Sequence, residues 1–294
     1  EQELLIRGPL EEVVLHYAEN ARRAGRGKDG TRVKYYLADA FTKKLFAGNP
    51  AGVCVVEQWP EDGLMQRIAG ENNLPETAFL HKGEGGWEIR WFTPSFEMDL
   101  CGHATLASGF VLLDKLEGGD SVELSSCSGP LWVKRGPEGQ GFVLDFPARA
   151  PREIPIPAGI EECLGEKVLG CWQSRDMVVL LESAEAVGRL DPDLEKMKEI
   201  IPQWGMVPTA AGADCDFVSR YFDPRDAVAE DPVTGSAHCS LAPFWSERLG
   251  KSILRARQLS RRGGELLCVM KGDRVEIGGD AVLYLEGELH PENA

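Results

Sequence analysis

From Val33 onward the chain alternates apolar and polar positions in short runs, interrupted by longer apolar stretches with helical spacing. "VKYYLADAF" and "AGVCVVEQW" read as strands rich in aromatic and β-branched residues. "EDGLMQRIAGENN" places Leu64, Ile68 and Ala69 on one face, the spacing of an amphipathic helix. "ETAFLHKG" and "WEIRWFTP" read as strands of a mostly antiparallel sheet. "CGHATLASGFVLLDKL" is apolar on nearly every side, which predicts a buried helix opened by Gly102. "SVELSSCSGPLWVKRGPEGQGFVLDF" reads as two strands joined by a Gly/Pro turn.

The proline-dense "PARAPREIPIPAG" then marks a connection between two halves. Behind it the pattern repeats: strand and helix candidates, a second very apolar helix in "GSAHCSLAPFWSERLG", and a last strand "AVLYLEGEL". A helix apolar all round must be covered, and a sheet rolled around it would do so. The pattern therefore predicts an α/β (α+β) protein of two similar domains, each a mostly antiparallel sheet wrapped round one central helix. The expected divisions are an appendage over residues 1–32, a first domain over 33–147 and a second over 148–290, with the last strand free to return to the first. In the appendage, apolar residues at 10, 13, 14, 17, 18 and 21 suggest a surface helix before the linker "AGRGKDG".

Composition narrows the partners. A formal net charge of −15 on 294 residues disfavours nucleic acid and anionic membranes, which attract basic surfaces. No run of ~18 apolar residues is present, so no transmembrane helix is predicted. The acidic N-terminus lacks the basic and apolar regions of a leader, which predicts a cytoplasmic protein. The eight cysteines stand singly with no C-x-x-C pair, consistent with reduced, buried thiols.

The two apolar helices begin alike. Asp99 precedes Gly102-His103-Ala104, and Asp231 precedes Gly235-Ser236-Ala237. A helix start exposes backbone N–H groups and a partial positive charge, and glycine there admits a ligand close to the backbone. Two such starts facing one cleft would form a socket for a carboxylate. The bland alternative is that both aspartates simply favour their helix starts and Ser236 caps locally; sequence physics leaves the two open. Glu76 is a third candidate, an acid inside the apolar run Leu74–Leu80. Facing a cleft, its desolvated carboxyl would titrate higher and suit proton transfer. A zinc site from Cys101, His103, His238 and Cys239 is disfavoured, because C-x-H and H-C match common zinc spacings poorly. No metal is expected.

Five blocks carry a specific resemblance: "DAFTKKLFAGNPAGVCVV", "IAGENNLPETAFL", "IRWFTPSFEMDLCGHATLASGFVLL", "DFVSRYFDPRDAVAEDPVTGSAHCSLAPFWSERLGK" and "SRRGGEL". In this order they resemble the phenazine-biosynthesis PhzF-like family, from about Val33 to Leu289. The resemblance implies a diaminopimelate-epimerase-like fold, a homodimer, no metal or organic cofactor, and isomerisation of trans-2,3-dihydro-3-hydroxyanthranilate or a similar small carboxylate. It implies Glu76 as acid/base, with His103 and Asp231 in support. It assigns the substrate carboxylate to Gly102-His103 and Gly235-Ser236. Racemases and epimerases of this fold pair two cysteines; Cys101 stands at the first position and Thr234 at the second, a departure that argues against two-thiol chemistry. A non-catalytic binding or scaffold role is the other reading, and the intact Glu76, His103 and Asp231 set speaks against it.

Overall fold

The computed structural model describes residues 33–137, 141–201, 205–225 and 228–291, so the expected appendage over 1–32 lies outside it. The first half runs β1 (Val33–Ala40), β2 (Asn49–Val56), α1 (Asp62–Asn72), β3 (Glu76–Gly83), β4 (Gly86–Phe92) and β5 (Glu97–Met98). It continues with α2 (Gly102–Phe110), a π-helical turn (Val111–Leu116), β6 (Ser121–Ser126), β7 (Gly129–Arg135) and β8 (Phe142–Pro147). The second half holds β9 (Arg152–Ile154), α3 (Ile160–Leu164), β10 (Val168–Gln173), β11 (Met177–Leu181), α4 (Ala184–Gly188) and α5 (Leu194–Ile200). After these come β12 (Met206–Ala211), β13 (Phe217–Ser219), α6 (Gly235–Leu249), β14 (Ile253–Gln258), β15 (Gly264–Lys271), β16 (Arg274–Gly279) and β17 (Ala281–Leu289).

One sheet ladder runs through both halves. β1 lies between β2 and β17, β2 pairs in parallel with β3, and the ladder continues through β4, β6 and β7 to β8. β8 then pairs antiparallel with β16, which passes the ladder to the second half. β16 and β17 are consecutive in sequence, yet one borders β8 and the other borders β1, so the first half is bracketed at both edges by the end of the chain.

The central helix of each half explains its own sequence. All nine residues of α2 are buried, which is why no polar stripe interrupts "GHATLASGF". Its Ser and Thr hydroxyls turn inward on the helix itself, Ser108 donating to Ala104 O at 2.7 Å. Gly109 permits the sheet to close on it: a Cβ there would lie 2.3 Å from Val133 Cγ1, so even alanine forces β7 to move. α6 carries Pro243 in its interior. A proline has no N–H to give the carbonyl four residues earlier. That carbonyl, on Cys239, instead accepts the N–H of Arg149 at 2.8 Å, so the connection between the halves is fastened to the second central helix.

The stretch read as two strands forms three. A tight turn at Cys127-Ser128 divides it before Gly129, which sits at φ 97°, where glycine is favoured. A second break separates β7 from β8. Among the described residues no helix is long and apolar enough to cross a membrane.

Candidate active site

Eight residues weighed in the sequence line one cleft of about 170 Å³, namely Glu76, Cys101, Gly102, His103, Asp231, Thr234, Gly235 and Ser236, while Asp99, His238 and Cys239 are not part of its lining. The two helix starts meet across it. A Cβ built on Gly102 would lie 3.5 Å from Gly235 Cα and 3.8 Å from the Ser236 nitrogen. Neither cap residue, Cys101 or Thr234, closes its own helix with a side-chain hydrogen bond. Ser236 lies inside α6, whose cap is Thr234, so Ser236 is not the local cap. A larger hollow of about 430 Å³ lies elsewhere, lined by Arg255, Leu267 and Gly278 among others, and contains none of the candidate residues. The titratable groups converge on the smaller cleft, which makes it the candidate site.

Glu76 opens β3 and points its carboxylate at His103, with Oε2 3.2 Å from Nε2. This would be an ion pair if the imidazole were charged. Burial lowers the His103 imidazole to about 3, so it is neutral at physiological pH and the contact is between a neutral ring and a carboxylate. The tautomer follows from the other side of the ring. Nδ1 faces the Asn49 amide nitrogen at 3.1 Å and the Cys101 sulfur at 3.5 Å. The Asn49 nitrogen is a donor, since it also reaches Asp231 Oδ1 at 2.7 Å and Val233 O at 2.9 Å, both acceptors. Nδ1 must then accept, and the proton of the neutral ring sits on Nε2, facing Glu76. An NH2 group has two hydrogens for these three acceptors, and the Cys101 thiol supplies a further donor to Nδ1. Burial, then the charge of Glu76, push the Cys101 thiol well above its ordinary value, which keeps that proton in place.

The second helix start is built differently. Thr234 donates its hydroxyl to Asp231 Oδ2. Gln258, 1% exposed, accepts the Thr234 N–H at 2.9 Å and donates to Asp231 O at 2.8 Å. Asp231 is thus held from both sides, by Asn49 of the first half and by Thr234 of its own loop. Asn49 and Gln258 were not legible as site residues, because their partners lie 182 and 27 residues away in sequence. The only available signal was polarity at a strand end, which is common in any sheet. Asn49 is itself fixed by Arg262 of "SRRGGEL", which donates to Gly48 O at 2.8 Å and pairs with Asp39 Oδ1 at 2.6 Å. Phe41, fully buried at φ 62°, backs Gly235 from behind, with the Phe41 ring 3.5 Å from a Cβ placed there. That left-handed conformation is costly for a bulky residue and is tolerated where packing over-determines it.

Among the described residues, Glu76, Cys101 and His103 are the single group whose ligand atoms lie within 4.8 Å of one another in the manner of a metal site. His238 and Cys239 stand outside it: His238 Nδ1 donates to Thr234 O at 2.8 Å, one turn into α6. The group is a neutral imidazole and a protonated thiol gathered around one carboxylate.

The sequence profile of phenazine biosynthesis-like proteins matches residues 38–287. A Pseudomonas aeruginosa protein named as an uncharacterized isomerase is 48% identical over 260 residues, covering 88% of this chain and 98% of the relative. A crystal structure of a phenazine biosynthesis PhzF-family protein from Enterococcus faecalis superposes with a TM-score of 0.85 at 44% identity, covering 88% of this chain and 99% of that one. A protein described as a predicted epimerase from Pseudomonas aeruginosa shares the fold with a TM-score of 0.66 at 23% identity, covering 87% of this chain and 99% of that one.

Proposed function

The chain belongs to the phenazine biosynthesis-like protein family and is an isomerase, and from that premise we propose that it moves a proton between two carbons of a small carboxylate without covalent catalysis. The observation that carries this reading is the Glu76 carboxylate facing the neutral His103 imidazole across 3.2 Å, in the cleft where the two helix starts meet. A partly buried carboxylate that faces a neutral ring stays basic enough to take a proton from carbon and can return it to another. The substrate anion sits at the paired helix starts, where backbone N–H groups and both helix dipoles converge. Asp231 is restrained by Asn49 and Thr234, which supports a role in orienting the substrate rather than in carrying its proton.

A cyclic amino carboxylate of the dihydro-hydroxyanthranilate type suits this arrangement, since a conjugated ring lets a proton leave one carbon and arrive at another. Two-thiol racemisation is disfavoured, because Thr234 occupies the second thiol position and its hydroxyl is already donated to Asp231. The test is a screen of small cyclic and acyclic carboxylates in heavy water, followed by NMR. The expected result is deuterium incorporation at carbon in at least one ring carboxylate. Racemisation of acyclic amino acids with no exchange in any ring compound would reverse the reading.

A further inference from the structure

Three acids, Glu76, Asp223 and Asp231, line the cleft. A carboxylate entering such a space is repelled unless a cation offsets them. Among the described lining residues there is one Lys or Arg, Arg175, and sequence reasoning did not single it out.

Arg175 stands in the turn between β10 and β11. That turn is tied to the second central helix, with the Ser174 and Ser240 hydroxyls 2.6 Å apart. The guanidinium rests on a buried pair. Tyr221 donates its hydroxyl to Asp176 Oδ1 at 3.2 Å and is also a hydrogen-bond partner of Arg175. Asp176 is 1% exposed and further accepts the Gly205 N–H at 3.2 Å. The ordinary explanation for such an arginine is a structural ion pair with Asp176. The geometry differs from that of the structural pairs in this protein. Arg220 grips Glu230 with two bonds of 2.6 and 2.9 Å, and Arg90 grips Glu97 with two of 2.7 Å. Arg175 Nε stands 3.8 Å from Asp176 Oδ1, beyond hydrogen-bond distance. Burial raises the Asp176 carboxyl despite the neighbouring cation, as expected of a poor pairing. Asp176 remains the first charge partner of Arg175, and the cation also opposes the burial that raises the Cys239 thiol just inside α6.

We propose that Arg175 is the specificity-determining cation of the cleft, the side-chain half of an anion site whose backbone half is the two helix starts. It selects substrates carrying a carboxylate over their neutral counterparts. The inference rests on the carboxylate reading above and deepens it by naming the residue that enforces it.

The test uses the full chain, with anthranilate and its neutral counterpart anthranilamide as calorimetric probes. Wild type should bind the acid more tightly than the amide. Arg175→Met should weaken anthranilate by roughly 10- to 100-fold, the worth of a charge-assisted contact, and leave the amide unchanged. Arg175→Lys, which keeps the charge but loses the planar fork, should fall between. Thermal melts show whether each variant is folded; if Arg175→Met is not, the comparison passes to Arg175→Lys, which must still narrow the acid-to-amide preference. Equal losses for both probes, no loss for anthranilate, or a wild type without preference for the acid would overturn the proposal. Because the readout is binding, it is separate from proton transfer: Glu76→Gln should keep the acid preference whether or not Glu76 proves to be the proton carrier.

Discussion

The starts of α2 and α6 share a backbone plan and differ in what their side chains are for. At Cys101-Gly102-His103 the side chains are buried among apolar neighbours, and burial holds them in single protonation states: a neutral imidazole and a protonated thiol. At Thr234-Gly235-Ser236 the polar groups are committed to holding the loop, through Thr234, Asp231 and Gln258. The first start is dry and keeps its titratable groups neutral; the second has its hydrogen bonds made. The glycines serve both alike, since each lets the opposing backbone approach to within van der Waals distance. On the function proposed above, two copies of one helix-start motif divide the work, with proton chemistry on one side and positioning on the other.

The largest expected consequence of that dryness is a pH effect on stability. His103 is lowered to about 3 and His238 to about 4, both by burial. The unfolded chain takes up these protons near pH 6.5 and the folded chain does not, so stability is full above that value and falls as pH drops toward the folded values. At pH 5 the loss should reach about 2 kcal/mol for each imidazole. Urea unfolding at pH 7 and pH 5 measures it, and His238→Gln should remove close to half. A flat profile would show that these rings are wetter than the structure has them.

Next in size is the joint between the halves. Asn49→Ala leaves the half-buried Asp231 carboxylate and the buried Val233 carbonyl without their shared donor, which should cost about 2–3 kcal/mol. Turnover should fall with it, since the same amide holds His103 in its tautomer. Denaturant melts and pH–rate profiles check the two effects separately. A stable Asn49→Ala with an unchanged profile would mean that the second start positions itself.

Gly102→Ala sharpens the shared part of the comparison. The added methyl meets Gly235 Cα and the Ser236 nitrogen at 3.5 and 3.8 Å, ordinary contact, so the protein should fold normally. The methyl fills the gap between the helix starts, and anthranilate affinity should drop by roughly 10- to 100-fold, measured by calorimetry. The smallest effect is expected at Cys101→Ser. A hydroxyl can still donate to His103 Nδ1, so turnover should fall by less than about tenfold, short of the usual worth of a general acid or base. A larger loss would make the thiol a proton carrier.

Much of this division was legible in the sequence. The echo of "CGHA" in "TGSA", the buried character of both helices and the lone acid in "LPETAFL" are local patterns, and hydrophobic periodicity reports local patterns well. The three-stranded path over 121–147 was missed because the dividing turn, Cys127-Ser128, carries no proline and its glycine follows it. Asn49, Gln258 and Arg175 were missed for a deeper reason. Each acts on residues brought near only by the β8–β16 junction or by packing against α6, and no local spacing encodes that.

The central claim is that one carboxylate, Glu76, carries the proton. Gln is nearly isosteric, keeps a polar group facing His103 and cannot shuttle a proton at neutral pH. Solvent deuterium incorporation into a turned-over ring carboxylate, followed by NMR for wild type and Glu76→Gln at matched ligand occupancy, tests the claim most directly. The account predicts exchange slowed by roughly 10²–10⁴-fold with affinity and melting temperature close to wild type. Exchange at the wild-type rate in Glu76→Gln would contradict it and place the proton on another group of the cleft.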